Sequence, residues 1–224
     1  MRLAECGGSV IATEFPSSLV RIHPTAIIEP GVEIGDHSSV WDNVHIRKNT
    51  RLGHHTSVGE KTHIAYEVVI GSYVKINAFV YICTSVTIED MCMISAGTVF
   101  TNDRFPRAMN RELTDLETSD PTEETLRCVV KKGTTIGANA TIGPGVTLGE
   151  FSMVGMGSVV TRDIPVQGLA VGNPAVVVGY VCVCGPRLVR VSHPPAPGTE
   201  VVCERCDRSY EWDGRQLNQK RDAE

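Results

Sequence analysis

From Ile22 onward, every sixth residue is Val, Ile or Leu. The series is Ile22, Ile28, Ile34, Val40, Ile46, Leu52, Val58, Ile64, Ile70, Ile76, Ile82, Ile88 and Ile94, with Phe100 next in phase. These residue types make up about a quarter of the chain, so thirteen consecutive hits would arise by chance roughly once in 10⁸. The phase stops after Phe100 and resumes at Val130, Ile136, Ile142, Leu148, Val154 and Val160. The residue two before each large one is small or β-branched: Val20, Ala26, Val32, Ser38, Val44, Thr50, Thr56, Thr62, Val68, Val74, Val80 and Val86. Positions two apart in a strand share a face, so each hexad reads as a short strand with one small and one large residue pointing inward. Gly35, Gly53, Gly59 and Gly71 follow the large residue and are expected to mark the turns. Such strands bury apolar surface only by stacking on neighbours, as solenoids do, whereas a β-sandwich keeps no fixed six-residue phase. Twenty hexads, three to a triangular turn, make nearly seven coils of a parallel β-helix. The 5% aromatic content suits so narrow an interior.

The expected organisation is an N-terminal extension (1–19), the β-helix (20–178) with a long loop at 101–129, a cysteine-bearing module (179–217) and a tail (218–224). The formal net charge is −5, from 21 basic and 26 acidic residues, which argues against a nucleic-acid partner. No apolar stretch approaches the ~18 residues of a membrane span. The first residues include Glu5 and Glu14 and do not read as a secretory signal. Eight cysteines without such a signal suggest reduced thiols in the cytoplasm.

With three hexads per coil, residues eighteen apart stack. One outward file reads Ile27, His45, His63, Tyr81, Val99, and a strand spacing of ~4.8 Å would put these side chains within mutual reach. A neighbouring file reads Asp42, Glu60, Ala78, Ala96, flanked by Asn43, Lys61 and Asn77. A carboxylate beside an imidazole pair is general-base equipment. The candidate catalytic set is His63 as base, His45 and Glu60 orienting it, and Tyr81 or Asn77 steadying an oxyanion. His37, His54 and His55 fall in turns and read as surface residues.

The loop carries Arg104, Arg107 and Arg111 near its start and is acidic from Glu112 to Glu124. Guanidinium forks fit carboxylates and phosphates. The loop reads as a flap over an acceptor site, on its own or a neighbouring subunit, with Asn102, Arg104 and Arg107 as substrate-side candidates. Beyond Val178, Cys182-x-Cys184 and Cys203-x-x-Cys206 bracket eighteen residues. Two such knuckles suit a Cys₄ zinc site, with His193 a substitute ligand and Tyr210 and Trp212 as packing for a small ribbon. The ribbon is expected either to cap the open end of the β-helix or to dock a partner.

The hexads, together with VWDNVHI (40–46), VKI (74–76), TIED (87–90), FTNDRFPRA (100–108), KKGTTIGANATI (131–142) and AVGNPA (170–175), resemble the hexapeptide-repeat acyltransferases. The likeness is to the bacterial N-acetyltransferases of nucleotide-linked 3-amino sugars. It implies an all-β, left-handed parallel β-helix assembled as a homotrimer, with acetyl-CoA as co-substrate and its pantetheine arm along the later coils. By this resemblance Gly137, Ala138, Gly155, Gly157, Ser158, Thr161, Arg162 and Asn173 are the CoA-side candidates. The acceptor end departs from the family pattern: Asn77-Ala78-Phe79 replaces a glutamine and two asparagines, and Val176 stands where an arginine often follows NPA. The implied activity is acyl transfer from acyl-CoA to an amine of a nucleotide-linked amino sugar. Two other readings stay open: O-acyl transfer to a hydroxyl of a sugar or natural product, and a non-catalytic scaffold with a zinc-ribbon docking module.

Overall fold

The structure is a computed structural model that describes residues 19–118, 120–122 and 124–220. All of the expected N-terminal extension except Leu19, and residues 221–224 of the expected tail, lie outside the described residues.

Each hexad forms a two- or three-residue rung, and rungs eighteen residues apart pair in parallel. Arg21–Ile22 lies on Ser39–Val40, Ile27–Ile28 on His45–Ile46, and Glu33–Ile34 on Arg51–Leu52. Three parallel sheets result, one per side of a triangular prism, with the rungs of successive coils stacked along its axis. This is the parallel β-helix expected from the repeat, with the left hand that the family resemblance implies. The large residues from Val40 to Val160 fill the interior, and most are wholly buried. Ile22, Ile28 and Ile34, in the first coil, are only partly covered.

The small inward position is often a hydroxyl, and the geometry explains why. Thr62 Oγ1 donates to the Asn77 carbonyl at 3.0 Å and accepts the Val80 N–H at 3.3 Å. Thr56 repeats the arrangement with the Gly71 carbonyl and the Val74 N–H. Thr50, Thr134 and Ser38 donate to Ala65, Gly149 and Gly53. A buried hydroxyl is tolerated because a carbonyl of the next coil accepts its proton.

The turns differ from expectation. The left-handed residue is the one preceding the small inward residue: Gly31 (φ 78°), His37 (62°), Asn43 (53°), Lys61 (56°), Phe79 (59°) and so on to Gly157 (66°). Gly35, Gly53, Gly59 and Gly71 are not left-handed. They are glycine because the next coil passes too close: a Cβ on Gly59 would lie 2.6 Å from the Asn77 carbonyl carbon, and one on Gly35 2.5 Å from the His54 nitrogen.

The inserted loop leaves after Phe100 and rejoins at the Cys128–Val130 rung. Tyr81 pairs with Val99 at an offset of 18, whereas Val99 pairs with Thr141 at 42, so the excursion adds 24 residues, four whole hexads. Its base is closed by the Asp103–Thr125 bridge and by the Leu126 N–H donating to the Asn102 carbonyl at 2.9 Å. A further bridge, Met109–Leu116, makes the outer part a narrow finger with Phe105, Leu113 and Leu116 exposed.

After Val159–Val160 the first side of the prism is extended by three longer strands. Gly168–Gly172 pairs in parallel with Met153–Val154, then Ala175–Val181 and Arg187–Arg190 follow antiparallel. The boundary expected after Val178 therefore falls inside one continuous strand. Thr199–Val202, Ser209–Trp212 and Leu217–Gln219 form a separate antiparallel sheet. Tyr180, Cys182, Val189, Cys203, Tyr210, Trp212 and Leu217 pack into a core of their own, distinct from that of the prism. Among the described residues, no helix is long and apolar enough to cross a membrane.

Candidate functional site

The register settles the histidine file. Ile27, His45, His63, Tyr81 and Val99 are consecutive pairing partners on the second side of the prism, and Thr141 and Val159 continue the file above the loop. The His45 and His63 rings meet edge to face at 5.1 Å, and His63 stacks on Tyr81 at 5.4 Å with 9° between the planes.

The carboxylate at this file is Glu29. Its Oε1 lies 2.9 Å from His45 Nε2 and 2.7 Å from Arg47 Nε, and its Oε2 accepts the Lys48 N–H at 2.9 Å. Burial works to raise the Glu29 pKa, but the Lys48 N–H, His45 and Arg47 outweigh it and hold the group below its ordinary value. His63 is shifted down, first by burial and then by the positive charges of His45 and Arg47, with Glu29 pulling weakly the other way. His63 is therefore a neutral imidazole at physiological pH, able to accept a proton.

Glu60 does not take the role expected of it. The Lys61 N–H bonds to the Asp42 carbonyl and the Phe79 N–H to the Glu60 carbonyl, which stacks Glu60 along the edge between the first and second sides, exposed to solvent. Glu29 and Arg47 occupy the opposite edge of the histidine side. No described hydrogen bond or ion pair joins Glu60 to either histidine. Asn77 also sits on the Glu60 edge, and its described bonds are main-chain: its carbonyl accepts from Thr62 and its N–H donates to Ile94. The signal for Glu29 was in the sequence, because Glu29 and Arg47 are eighteen apart and stack as opposite charges beside the file.

Tyr66 stands in the turn at this edge. Arg47 and Lys48 lie over its ring at 5.7 Å each. Burial, then the Asp120 carboxylate of the loop, raises the Tyr66 pKa. Asn102 Nδ2 donates to the Thr84 carbonyl at 3.3 Å. Arg104 lies over Phe105, Arg107 donates to the Pro106 carbonyl, and Arg111 pairs with Glu124. None of these arginines is described in contact with the histidine file.

The CoA-side candidates divide between the two edges that flank the histidine side. Gly137, Ala138, Gly155 and Gly157 lie on one, with the Gly157 N–H on the Ala138 carbonyl. Thr161 and Arg162 lie on the other. Asn173 lies in the connection between two terminal strands, ahead of a cis peptide to Pro174. Ser158 is wholly buried, and its Oγ accepts the Gly172 N–H at 3.1 Å, so its side chain holds the terminal strands and does not face a ligand groove. Met156, between Gly155 and Gly157, is 83% exposed, which the repeat does not signal.

The four cysteines converge as expected. The Sγ atoms of Cys182, Cys184, Cys203 and Cys206 all lie within 4.8 Å of one another, and three of the pairs are 3.5 Å apart. Tetrahedral zinc with Zn–S of about 2.3 Å separates its sulfurs by about 3.8 Å, so the donor set fits that ion. Tyr210 Oη lies 3.1 Å from Cys182 Sγ and accepts the Val183 N–H, and Arg205 donates to the Cys184 carbonyl. His193 bonds to Ser192 and is not part of the cluster.

Residues 127–162 match the bacterial transferase hexapeptide family (six repeats). Over 86 residues the chain is 48% identical to dTDP-3-amino-3,6-dideoxy-alpha-D-galactopyranose 3-N-acetyltransferase of Aneurinibacillus thermoaerophilus, a match covering 38% of this chain and 41% of that protein. The match thus spans about two fifths of the relative's length. Among solved structures, a mutant of AntD, an N-acyltransferase from Bacillus cereus, in complex with dTDP-4-amino-4,6-dideoxyglucose and coenzyme A, is similar with a TM-score of 0.48 at 19% identity, covering 74% of this chain and 82% of that one. PerB from Caulobacter crescentus, in complex with CoA and GDP-perosamine, gives a TM-score of 0.39 at 22% identity, covering 72% and 57%. The eighteen-residue coil gives the chain the fold of a left-handed parallel β-helix built on six-residue repeats, and residues 127–162 of it match the hexapeptide transferase family.

Proposed function

We propose that this chain is an acyl-CoA-dependent N-acyltransferase that acetylates an amino group of a nucleotide-linked amino sugar. The observation that carries the reading is the Glu29–His45–His63–Tyr81 arrangement on the side of the prism that the hexapeptide-matching coils continue through Thr141 and Val159. The identity to a nucleotide-sugar 3-N-acetyltransferase supports the choice of acceptor.

In this reading the acceptor amine attacks the thioester carbonyl carbon. A new C–N bond forms, the C–S bond breaks, and the electron pair leaves on the CoA sulfur. His63 takes the proton the amine sheds and returns one to the departing thiolate. His45, oriented by Glu29, fixes the His63 ring, and Tyr81 stacks on its other side. Thr161, Arg162, Asn173 and the glycine edge Gly137–Gly157 bind acetyl-CoA, while Asn102, Arg104 and Arg107 serve the acceptor. The working form is a cytoplasmic homotrimer without a nucleic-acid or membrane partner. Cys182, Cys184, Cys203 and Cys206 hold one structural Zn²⁺, which ties the ribbon's strands together.

The test is release of free CoA thiol on mixing the protein with acetyl-CoA and a dTDP-linked 3-amino sugar. Turnover that needs both substrates and falls sharply in His63→Ala supports the proposal. No turnover with any amino-sugar nucleotide, while the 3-hydroxy analogue is acylated, would replace it with the O-acyltransferase reading. Absence of acyl-CoA binding in calorimetry would leave the scaffold reading.

A further inference from the structure

A second group of rings lies away from the histidine side, at the edge between the third and first sides. His37 and His55 are both left-handed turn residues, one coil apart, with rings 4.7 Å from each other. Tyr73, in the next coil, stacks on His55 at 4.9 Å and meets His54 edge to face at 5.0 Å. His54 Nδ1 and His55 Nδ1 stand 3.0 Å apart, and all three imidazoles are exposed.

The backbone beneath these rings is fixed. The His55 N–H bonds to the Asp36 carbonyl, the His54 N–H to Ser72 Oγ, and the Tyr73 N–H to the His54 carbonyl. The side chains therefore project from a rigid prism edge, and binding costs rotamer freedom but no backbone ordering. In the neutral pair one Nδ1 donates to the other. With both protons on Nε2, a modest turn of each ring aims two lone pairs at one point in solvent.

The donor type selects the ligand class. Two neutral imidazoles suit late first-row divalent cations, among which nickel and copper bind nitrogen donors most strongly. We propose that His54 and His55 form a surface chelate for a late first-row divalent cation of nickel type. The site is distinct from the four-cysteine cluster, whose thiolates and tetrahedral spacing suit zinc.

Calorimetric titration of the zinc-loaded full chain with nickel chloride tests the proposal. One nickel per chain is expected. Affinity should fall by on the order of tenfold or more in His54→Ala and in His55→Ala. It should be unchanged in His63→Ala and in His193→Ala. Amino-sugar acylation should be unchanged in His54→Ala, so the outcome is independent of the proposed activity. Three results would overturn the chelate: no binding by the wild-type chain, undiminished binding in both alanine variants, or nickel–thiolate absorption showing that the metal had gone to the cysteines.

Discussion

His45 Nε2 sits 2.9 Å from Glu29 Oε1, while the His63 ring, one coil on, meets the His45 ring edge-on at 5.1 Å. The two imidazoles therefore have different surroundings. His45 is bound to a carboxylate that also holds Arg47. His63 is flanked by a ring on each side and is shifted toward its neutral form by burial.

This asymmetry fixes the sign of the pH dependence. The basic form of His63 is the neutral one, so kcat/KM should rise through a pKa below 6.5 and then level off. Glu29 is the charge that raises that pKa, and Arg47 is one that lowers it. Glu29→Gln should therefore move the acid limb to lower pH, and Arg47→Met should move it to higher pH. His63→Ala should reduce kcat by about 10²- to 10⁴-fold. A pH–rate profile of the four proteins checks all three statements, and near-native turnover by His63→Ala would exclude the base.

Metal analysis of the purified chain should return one zinc per chain. Cys203→Ser should lose it and destabilise the ribbon by on the order of several kcal/mol. The prism has its own core, so its strand signal in circular dichroism should persist while the Tyr180–Trp212 environment, 5.1 Å ring to ring, changes in fluorescence.

Thr62→Val keeps the shape of the inward residue and deletes the hydroxyl. It leaves the Asn77 carbonyl without its side-chain donor and the Val80 N–H without its side-chain acceptor. A loss of about 1–3 kcal/mol is expected in denaturant unfolding. Thr62→Ser, which retains the hydroxyl, should be milder.

The glycines separate into two kinds by the same measurement. Gly157→Ala meets nothing within 4 Å and bears only the left-handed backbone penalty, about 1–2 kcal/mol. Gly59→Ala would drive a methyl group to 2.6 Å from the main chain of the next coil. It should unfold at clearly lower denaturant than Gly157→Ala, since overpacked interiors lose ~1–3 kcal/mol or more.

The loop finger can be removed at its neck. Joining Asp103 to Thr125, which already form a bridge, through two glycines should change prism stability by less than about 1 kcal/mol. Acceptor kcat/KM should fall while acetyl-CoA binding is kept. Sedimentation of the same variant reports whether the finger also supports the proposed homotrimer.

The prism is legible because the repeat carries redundant information. Thirteen consecutive hexads fix the phase, the phase fixes the coil, and the coil fixes the histidine file. The cysteine cluster is legible from two short spacings. Glu60 misleads because adjacency along the sequence is not adjacency to the file. Glu60 and Glu29 lie on opposite edges of the histidine side, and the carboxylate next to the imidazole is the one in the coil below. Ser158 misleads because its likeness to family residues competes with its place in the hexad, the small inward one, and the hexad decides. The direction of the loop arginines is not readable, since residues outside the repeat have no phase.

An excursion of four whole hexads returns the chain to the same angular position it left. The prism behaves as a ladder whose storeys are interchangeable and whose walls keep their bearing. Decorations can be hung from a corner, lengthened or stripped away without rotating anything above them, provided the count is a multiple of six and the side is restored. A single-residue slip, by contrast, would turn every inward side chain above it out to water. Novelty in such a molecule is therefore confined to its corners and its ends, and that is where the finger, the paired imidazoles and the cysteine ribbon are found.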